Sequence, residues 1–352
     1  MAKYFFNIID QNKDRICFII FISFFLFTCF ACNEPKKTTE NNDSTALNNR
    51  LSIDKDLSNI KIGYSSPSQN APFYVVLSSY VKKYAEQYGM QFIMTDGQND
   101  IIKQITSIED MITTGLDVLI LNPLDYKALV PAVNAASETG IDVFIVDSQI
   151  DASANYITSV QASNEGNGEL LGEWVIKKLK ERNIKAALIS GSQGNPVGKE
   201  KRLGFVRGFV ESQLMTEGRS NMAIAAQGWG NWSLLGGMEA MDDILVAHPD
   251  INLLVAENDA MGMGALKVIQ ETGRSGEITV VGFDGQKEAY ELIQKGQFGA
   301  TALNSPEELA RLVVESVVKY LNGESINKII YTPAVLITEE NVEDYYNPDA
   351  LF

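Results

Sequence analysis

The 352-residue sequence is poor in the side chains that most often carry reaction chemistry. It has one histidine, His248, in a stretch AHPD with no cysteine or acidic neighbour at metal-ligand spacing. A Ser-His nucleophilic site would have to use that residue, and no G-x-S-x-G turn accompanies it. Its three cysteines, at 17, 29 and 32, all fall in the first 32 residues, so the remainder has no thiol with which to build a disulfide, a thiolate nucleophile or a zinc site. No run of Lys or Arg exceeds two residues, and the formal net charge is −16, which argues against nucleic acid or an anionic membrane surface as partner. A P-loop is missing too. The glycines of EGNGELLGE (165–173) only loosely match a dinucleotide fingerprint, and the next strand candidate ends in Ser190-Gly191 where a ribose-binding acid belongs. They read as helix packing. Neither catalytic residues nor a metal or cofactor are expected.

What is present begins with an apolar run, ICFIIFISFFLFTCFA (16–31), preceded by Lys3, Lys13 and Arg15 and followed by an abrupt change to Cys32-Asn33-Glu34. Its length falls short of the ~20 apolar residues of a spanning helix and suits an export signal, with a retained anchor as the alternative. The C-x-x-C spacing of Cys29 and Cys32 inside a hydrophobic signal offers no folded site. Residues 33–58 are rich in Asn, Thr, Asp and Lys, and such a segment buries too little to fold, so it reads as a flexible tether.

From Asn59 short apolar runs alternate with longer helical patterns. Strand candidates are 60–65, 91–96, 118–122, 143–147, 187–191, 223–228, 253–257, 278–284 and 299–304; helices are expected between them, for example over 73–89, 129–140, 170–182, 236–248 and 306–323. Ser305-Pro306-Glu307-Glu308 supplies the last with an N-cap, a proline at its first position and acidic residues in its first turn. The alternation predicts an α/β fold with parallel sheets covered by helices on both faces, and nine strands in so short a chain predict two lobes.

Several apolar runs stop abruptly at polar residues: VLILNP, VFIVDS, VVGFDG and LLVAEND. Strands of an open parallel sheet present their first exposed residues to a crevice beyond their carboxyl ends, where ligands bind. Asn122, Asp147, Asn258 and Asp284 are placed to converge there. Carboxylates and carboxamides are the groups needed to replace the water around a polyhydroxylated molecule. Asp259 is expected to cap the helix that follows, and Met261 to Gly264 to be helix packing.

AHPDINLLVAENDAMGMGALKVIQETG followed by VVGFDG, with APFY (71–74), VLILNP, VFIVD and GFVRGF (204–209), resembles the periplasmic sugar-binding proteins of the ribose- and galactose-binding type, over about Lys61 to Ile337. The resemblance implies the periplasmic-binding-protein-like I fold: two Rossmann-like lobes joined by a three-segment hinge that close on a small molecule. It implies lobes of 59–163 plus 305–333 and of 164–304 plus 334–345. It further implies Phe73 and Tyr74 stacking on a sugar from one lobe and Trp232 from the other, with Asn122, Asp147, Ser163, Lys199, Asn258, Asp284 and Asn304 at hydrogen-bonding positions. Three departures concern the ligand: Ser148 stands where an arginine usually follows the strand-end aspartate, Ala71 where an asparagine is common, and Lys199 at a further arginine position. A furanose, sugar alcohol, cyclitol or other small polar molecule is open beside an ordinary pyranose. A cysteine closing the N-terminal apolar run resembles a bacterial lipoprotein signal, with Cys32 lipidated, Cys29 the alternative frame and plain cleavage near Ala31 the simpler outcome. The function so implied is that of a monomeric substrate-binding lipoprotein delivering to the membrane subunits of an ABC importer; a binding protein serving a chemoreceptor or sensor kinase is the alternative.

Overall fold

The computed structural model describes residues 56–179 and 183–352. The export signal, Cys32 and the tether up to residue 55 lie outside the described residues. Leu57, assigned by sequence to the tether, is buried in the core, because a single leucine after Asp56 anchors a segment without creating any periodicity.

The strands in chain order are β1 (Lys61–Ser66), β2 (Gln91–Asp96), β3 (Val118–Leu121), β4 (Asp142–Val146), β5 (Thr158–Ala162), β6 (Lys185–Ser190), β7 (Ala223–Trp229), β8 (Leu253–Ala256), β9 (Thr279–Asp284), β10 (Ala300–Leu303), β11 (Ile329–Thr332) and β12 (Leu336–Thr338). They form two six-stranded sheets, ordered β11-β5-β4-β3-β1-β2 and β12-β10-β9-β8-β6-β7. Every pairing is parallel except that of the edge strand β12 with β10. The expected class, two parallel α/β sheets flanked by helices, is what the chain forms. In β3 and β8 all four residues are buried, as strands covered on both faces must be.

Each sheet has apolar clusters on its two faces. In the first, Ile62, Tyr64, Leu77 and Val314 pack on one side and Ile108, Leu119, Val133 and Ile145 on the other. In the second, Met241, Leu254, Met261 and Ile269 oppose Leu171, Val255, Phe205 and Phe283. The chain passes between the sheets after β5, after β10 and after β11. Asn167, fully buried, ties these crossings together: its Nδ2 donates to the Leu303 carbonyl at 2.8 Å and its Oδ1 accepts from the Val335 amide at 3.0 Å.

Three strands are absent from the sequence expectations. β5 reads Thr-Ser-Val-Gln-Ala, and its polar members are buried with their bonds made, Gln161 Nε2 donating to Ser159 Oγ and Thr158 Oγ1 to the Asn327 carbonyl, both at 2.7 Å. β11 and β12 are short edge strands of mixed composition. The helix expected from 170 starts earlier, at Asn164–Lys178, because its first turns are small and polar and carry no apolar stripe. Those turns hold the glycines that packing requires. A Cβ on Gly168 would lie 2.5 Å from the Lys201 carbonyl oxygen and one on Gly172 2.4 Å from that of Phe205, while Gly204 and Gly208 meet the carbonyls of Glu165 and Glu169 at 2.1 and 2.2 Å. Two helices, Asn164–Lys178 and Pro196–Glu217, therefore cross backbone to backbone on four glycines.

Candidate functional site

The order of each sheet reverses beside its first strand: β1 lies between β2 and β3, and β6 between β7 and β8. A doubly wound sheet has its crevice at that reversal. The two crevices face each other. Their floor is a cavity of about 40 Å³ lined by Ala71, Phe73, Tyr74, Asp147, Ser148, Asn195, Val197, Lys201, Trp232, Asn258, Asp284 and Asn304. It continues outward into a cleft of about 680 Å³ that shares Ala71, Tyr74, Ser148, Asn195 and Trp232.

Seven of the ten residues singled out in the sequence thus line one cavity: Phe73, Tyr74, Asp147, Trp232, Asn258, Asp284 and Asn304. Asp147 directly follows β4 and Asp284 ends β9, and both hold positive φ, 63° and 105°. Left-handed backbone is costly for a residue with a Cβ, though aspartate tolerates it better than most, and strain of this kind gathers at binding sites. Asp284 Oδ1 accepts from Lys201 Nζ at 2.8 Å. The same ammonium donates to the Glu257 carbonyl at 2.9 Å and lies 5.6 Å from the Trp232 ring centroid. Asp147 accepts from Asn122 Nδ2 at 3.0 Å and from Asn304 Nδ2 at 3.4 Å. Burial pushes its carboxyl up to about 6, and Asp284 adds to this, against the amide bonds and the charge of Lys201.

Asn122 is buried behind Asp147 and does not line the cavity; its side-chain Oδ1 has no partner among the described residues. Asn258 is the N-cap of the helix Asp259–Glu271, its Oδ1 accepting from the Met261 amide at 2.9 Å while its Nδ2 donates to the Trp232 carbonyl at 3.1 Å. The second bond fixes the positive-φ turn at Asn231 and Trp232 that aims the indole into the cleft, where the ring lies over Gly191. Asp259 is not the cap. Its buried carboxylate accepts from the amides of Gly285 and Gln286, at 2.9 and 2.8 Å, and from the Thr301 hydroxyl, holding the turn that displays Asp284. Burial and the charge of Asp284 push the Asp259 carboxyl up.

Two expected residues lie elsewhere. Ser163 is half-buried at the N-cap of the helix Asn164–Lys178 and outside the cavity lining. Lys199 is exposed, and Lys201 occupies the cavity in its place. The buried stripe of the helix Pro196–Glu217 runs Val197, Lys201, Gly204-Phe205, Gly208-Phe209. Lys201 falls on it at helical spacing, whereas Lys199 is about 200° round the axis from Val197. That spacing was the available signal for Lys201. Trp229 stays 40% exposed beside Arg202, outside the cavity.

The periplasmic binding protein domain matches residues 62–325. The chain belongs to the periplasmic binding protein family. It is 29% identical over 328 residues to the ribose import binding protein of Bacillus subtilis, covering 93% of this chain and all of that one. Among solved structures it resembles an ABC transporter solute-binding protein of Mycobacterium smegmatis with bound glycerol, at 33% identity and a TM-score of 0.76, covering 82% of this chain and 98% of the other. A Caulobacter myo-inositol binding protein bound to myo-inositol aligns at 25% identity with a TM-score of 0.74, covering 81% and 95%.

Proposed function

We propose that the protein is the substrate-binding component of an ABC-type importer and that it closes two lobes on a small sugar or sugar-like polyol. One observation carries this: Asp147, Phe73 and Tyr74 from the lobe of the first sheet and Lys201, Asp284 and Trp232 from that of the second share one cavity. Aromatic faces suit the C–H face of a sugar ring while carboxylates and the ammonium bind its edge, so the two sets act together. The relatives support the reading, since they carry the names of sugar- and inositol-binding proteins. Seven of the ten residues read from the sequence, with Lys201 in place of Lys199, are assigned to the ligand cleft and Asn122 to its support, while Ser163 is left outside it. No reaction chemistry is assigned.

The test is a thermal-shift screen against monosaccharides, polyols and cyclitols. A ligand at 100 times its Kd adds roughly 2.7 kcal/mol of stability. Once a ligand is in hand, Asp284→Ala should weaken it about 10- to 150-fold by removing a charge-assisted hydrogen bond. His248→Ala should change nothing, because His248 precedes β8 at the opposite end of the sheet from the cleft. The reverse pattern in a titration would place the site at the wrong end of the strands.

We also propose that the chain is exported and held at a membrane by lipid on Cys32, the residues after it serving as a tether. Among the described residues no helix is long and apolar enough to cross a membrane. Cys32→Ser should shift the protein from the membrane fraction to a soluble or unprocessed form, with Cys29→Ser as control; unchanged fractionation would remove Cys32 as the anchor.

A further inference from the structure

The cavity holds more negative charge than positive. Its lining includes two carboxylates, Asp147 and Asp284, and one cation, Lys201. That cation is committed, bonded to Asp284 and to the Glu257 carbonyl. Arg202, next in sequence, is paired with Glu257 and lies outside the lining.

Among the described residues Asp147 has no such partner. The groups that bond it are the neutral amides of Asn122 and Asn304, and the residue beside it in the wall is Ser148. An ionised carboxylate has acceptor sites for about four donors, so two amide bonds leave it unsaturated. Asn304, which is 3% exposed and lines the cavity, turns its amide Nδ2 toward Asp147 and leaves its side-chain Oδ1 without a donor among the described residues. An unsaturated carboxylate beside an orphaned carbonyl, in a buried cavity, asks for a group with several N–H donors and a positive charge.

We propose that the ligand carries a protonated primary amine that sits on Asp147 and donates also to the Asn304 carbonyl, which makes it an amino sugar or an amino-bearing polyol. The proposal rests on the reading of the cleft as a sugar or polyol site. The remaining hydroxyls of such a ligand fall to Asp284, Lys201 and Ser148. With the ammonium bound, the buried site gains the opposite charge that Asp147 lacks. The acidic balance of the whole chain, −16, favours the approach of a cation and not of a sugar acid or sugar phosphate.

The experiment is a calorimetric titration of the purified protein with 2-amino-2-deoxyhexoses and aminopentitols, each beside its hydroxyl parent and its N-acetyl derivative. The amine should bind at least tenfold tighter than either counterpart. Its affinity should pass through a maximum in pH, lost on the acid side as Asp147 takes a proton and on the alkaline side as the amine loses one. The groups that share the electrostatics of Asp147 are Asp284, Lys201, Tyr64 and Tyr74, and the two tyrosines are pushed far above the range of the experiment by burial and by Asp147 itself. Asp147→Asn should abolish the preference for the amine. So should Ser148→Arg, which places a fixed cation beside Asp147 and serves as the second variant should the first fold poorly. Parents binding as tightly as their amines, or a preference that survives both variants, would overturn the proposal and leave the sugar or polyol site standing. If no member of any set binds, the amine proposal falls, and the proposed function falls only if the wider screen of monosaccharides, polyols and cyclitols also finds no ligand.

Discussion

At the scale of single residues, the site is assembled from side chains that cost the free protein stability. Asp147 shows it most directly. Its carboxyl is pushed up to about 6 by burial, above an ordinary value near 3.8. The folded protein therefore binds more protons than the unfolded chain between about pH 4 and 6, and the stability contributed by this group falls as pH rises through that window. At neutral pH the ionised form costs the unliganded fold on the order of 3 kcal/mol. Asn at 147 removes the charge and tolerates the positive φ. The unliganded Asp147→Asn protein should melt higher than the parent at pH 7, with the difference shrinking toward pH 4. Melting curves at both pH values check it, and equal curves at pH 7 would mean that Asp147 is not penalised by burial.

At the scale of elements, the sequence was legible where a run was apolar on both faces and obscure where polar residues satisfied one another. Asp147 and Asp284 could be placed because VFIV and VVGF lead straight into them. β5 could not, because Ser159 and Gln161 are buried through a bond between side chains that leaves no apolar trace. Lys201 was hidden for a related reason: a lysine inside a helix stripe reads as solvent-facing until the partner that neutralises it, Asp284, is brought 2.8 Å away by the fold. The crossing of Asn164–Lys178 with Pro196–Glu217 sets that distance, and its glycines make a second test. A Cβ on Gly168 meets the backbone of the turn that bears Lys201, with the Phe205 nitrogen also at 2.5 Å, so the helices must separate. Gly168→Ala should cost about 1–3 kcal/mol of stability, the usual range for overpacking, even though alanine is the better helix former. It should also weaken ligand binding by moving Lys201. A melting temperature at or above that of the parent would show that the close approach is not needed.

At the scale of the whole molecule, the cavity is made by two lobes that touch directly through few polar groups. Asn304 reaches Asp147 across the floor, and Gln149 donates to Glu200 at the side. Glu200 is itself held by Asn164 Nδ2 at 3.2 Å and its carboxyl is raised by burial. A ligand that contacts both lobes only when they are closed adds its differential affinity to these contacts and shifts the population toward closure. The radius of gyration in solution should therefore fall when a verified ligand is added, and identical scattering profiles would mean that the lobes do not move. Gln149 separates this mechanism from simple contact, because it lines neither the cavity nor the outer cleft. Gln149→Ala removes a bond made across the lobes and leaves the ligand contacts intact. The open form keeps both groups hydrated, so the net loss is that of a typical hydrogen bond, about 0.5–1.5 kcal/mol, and affinity should drop roughly 2- to 10-fold. The unliganded protein should at the same time become more expanded, while the liganded profile stays that of the parent. Weaker binding with no change in the unliganded profile would mean that Gln149 acts on the ligand and not on the closing equilibrium.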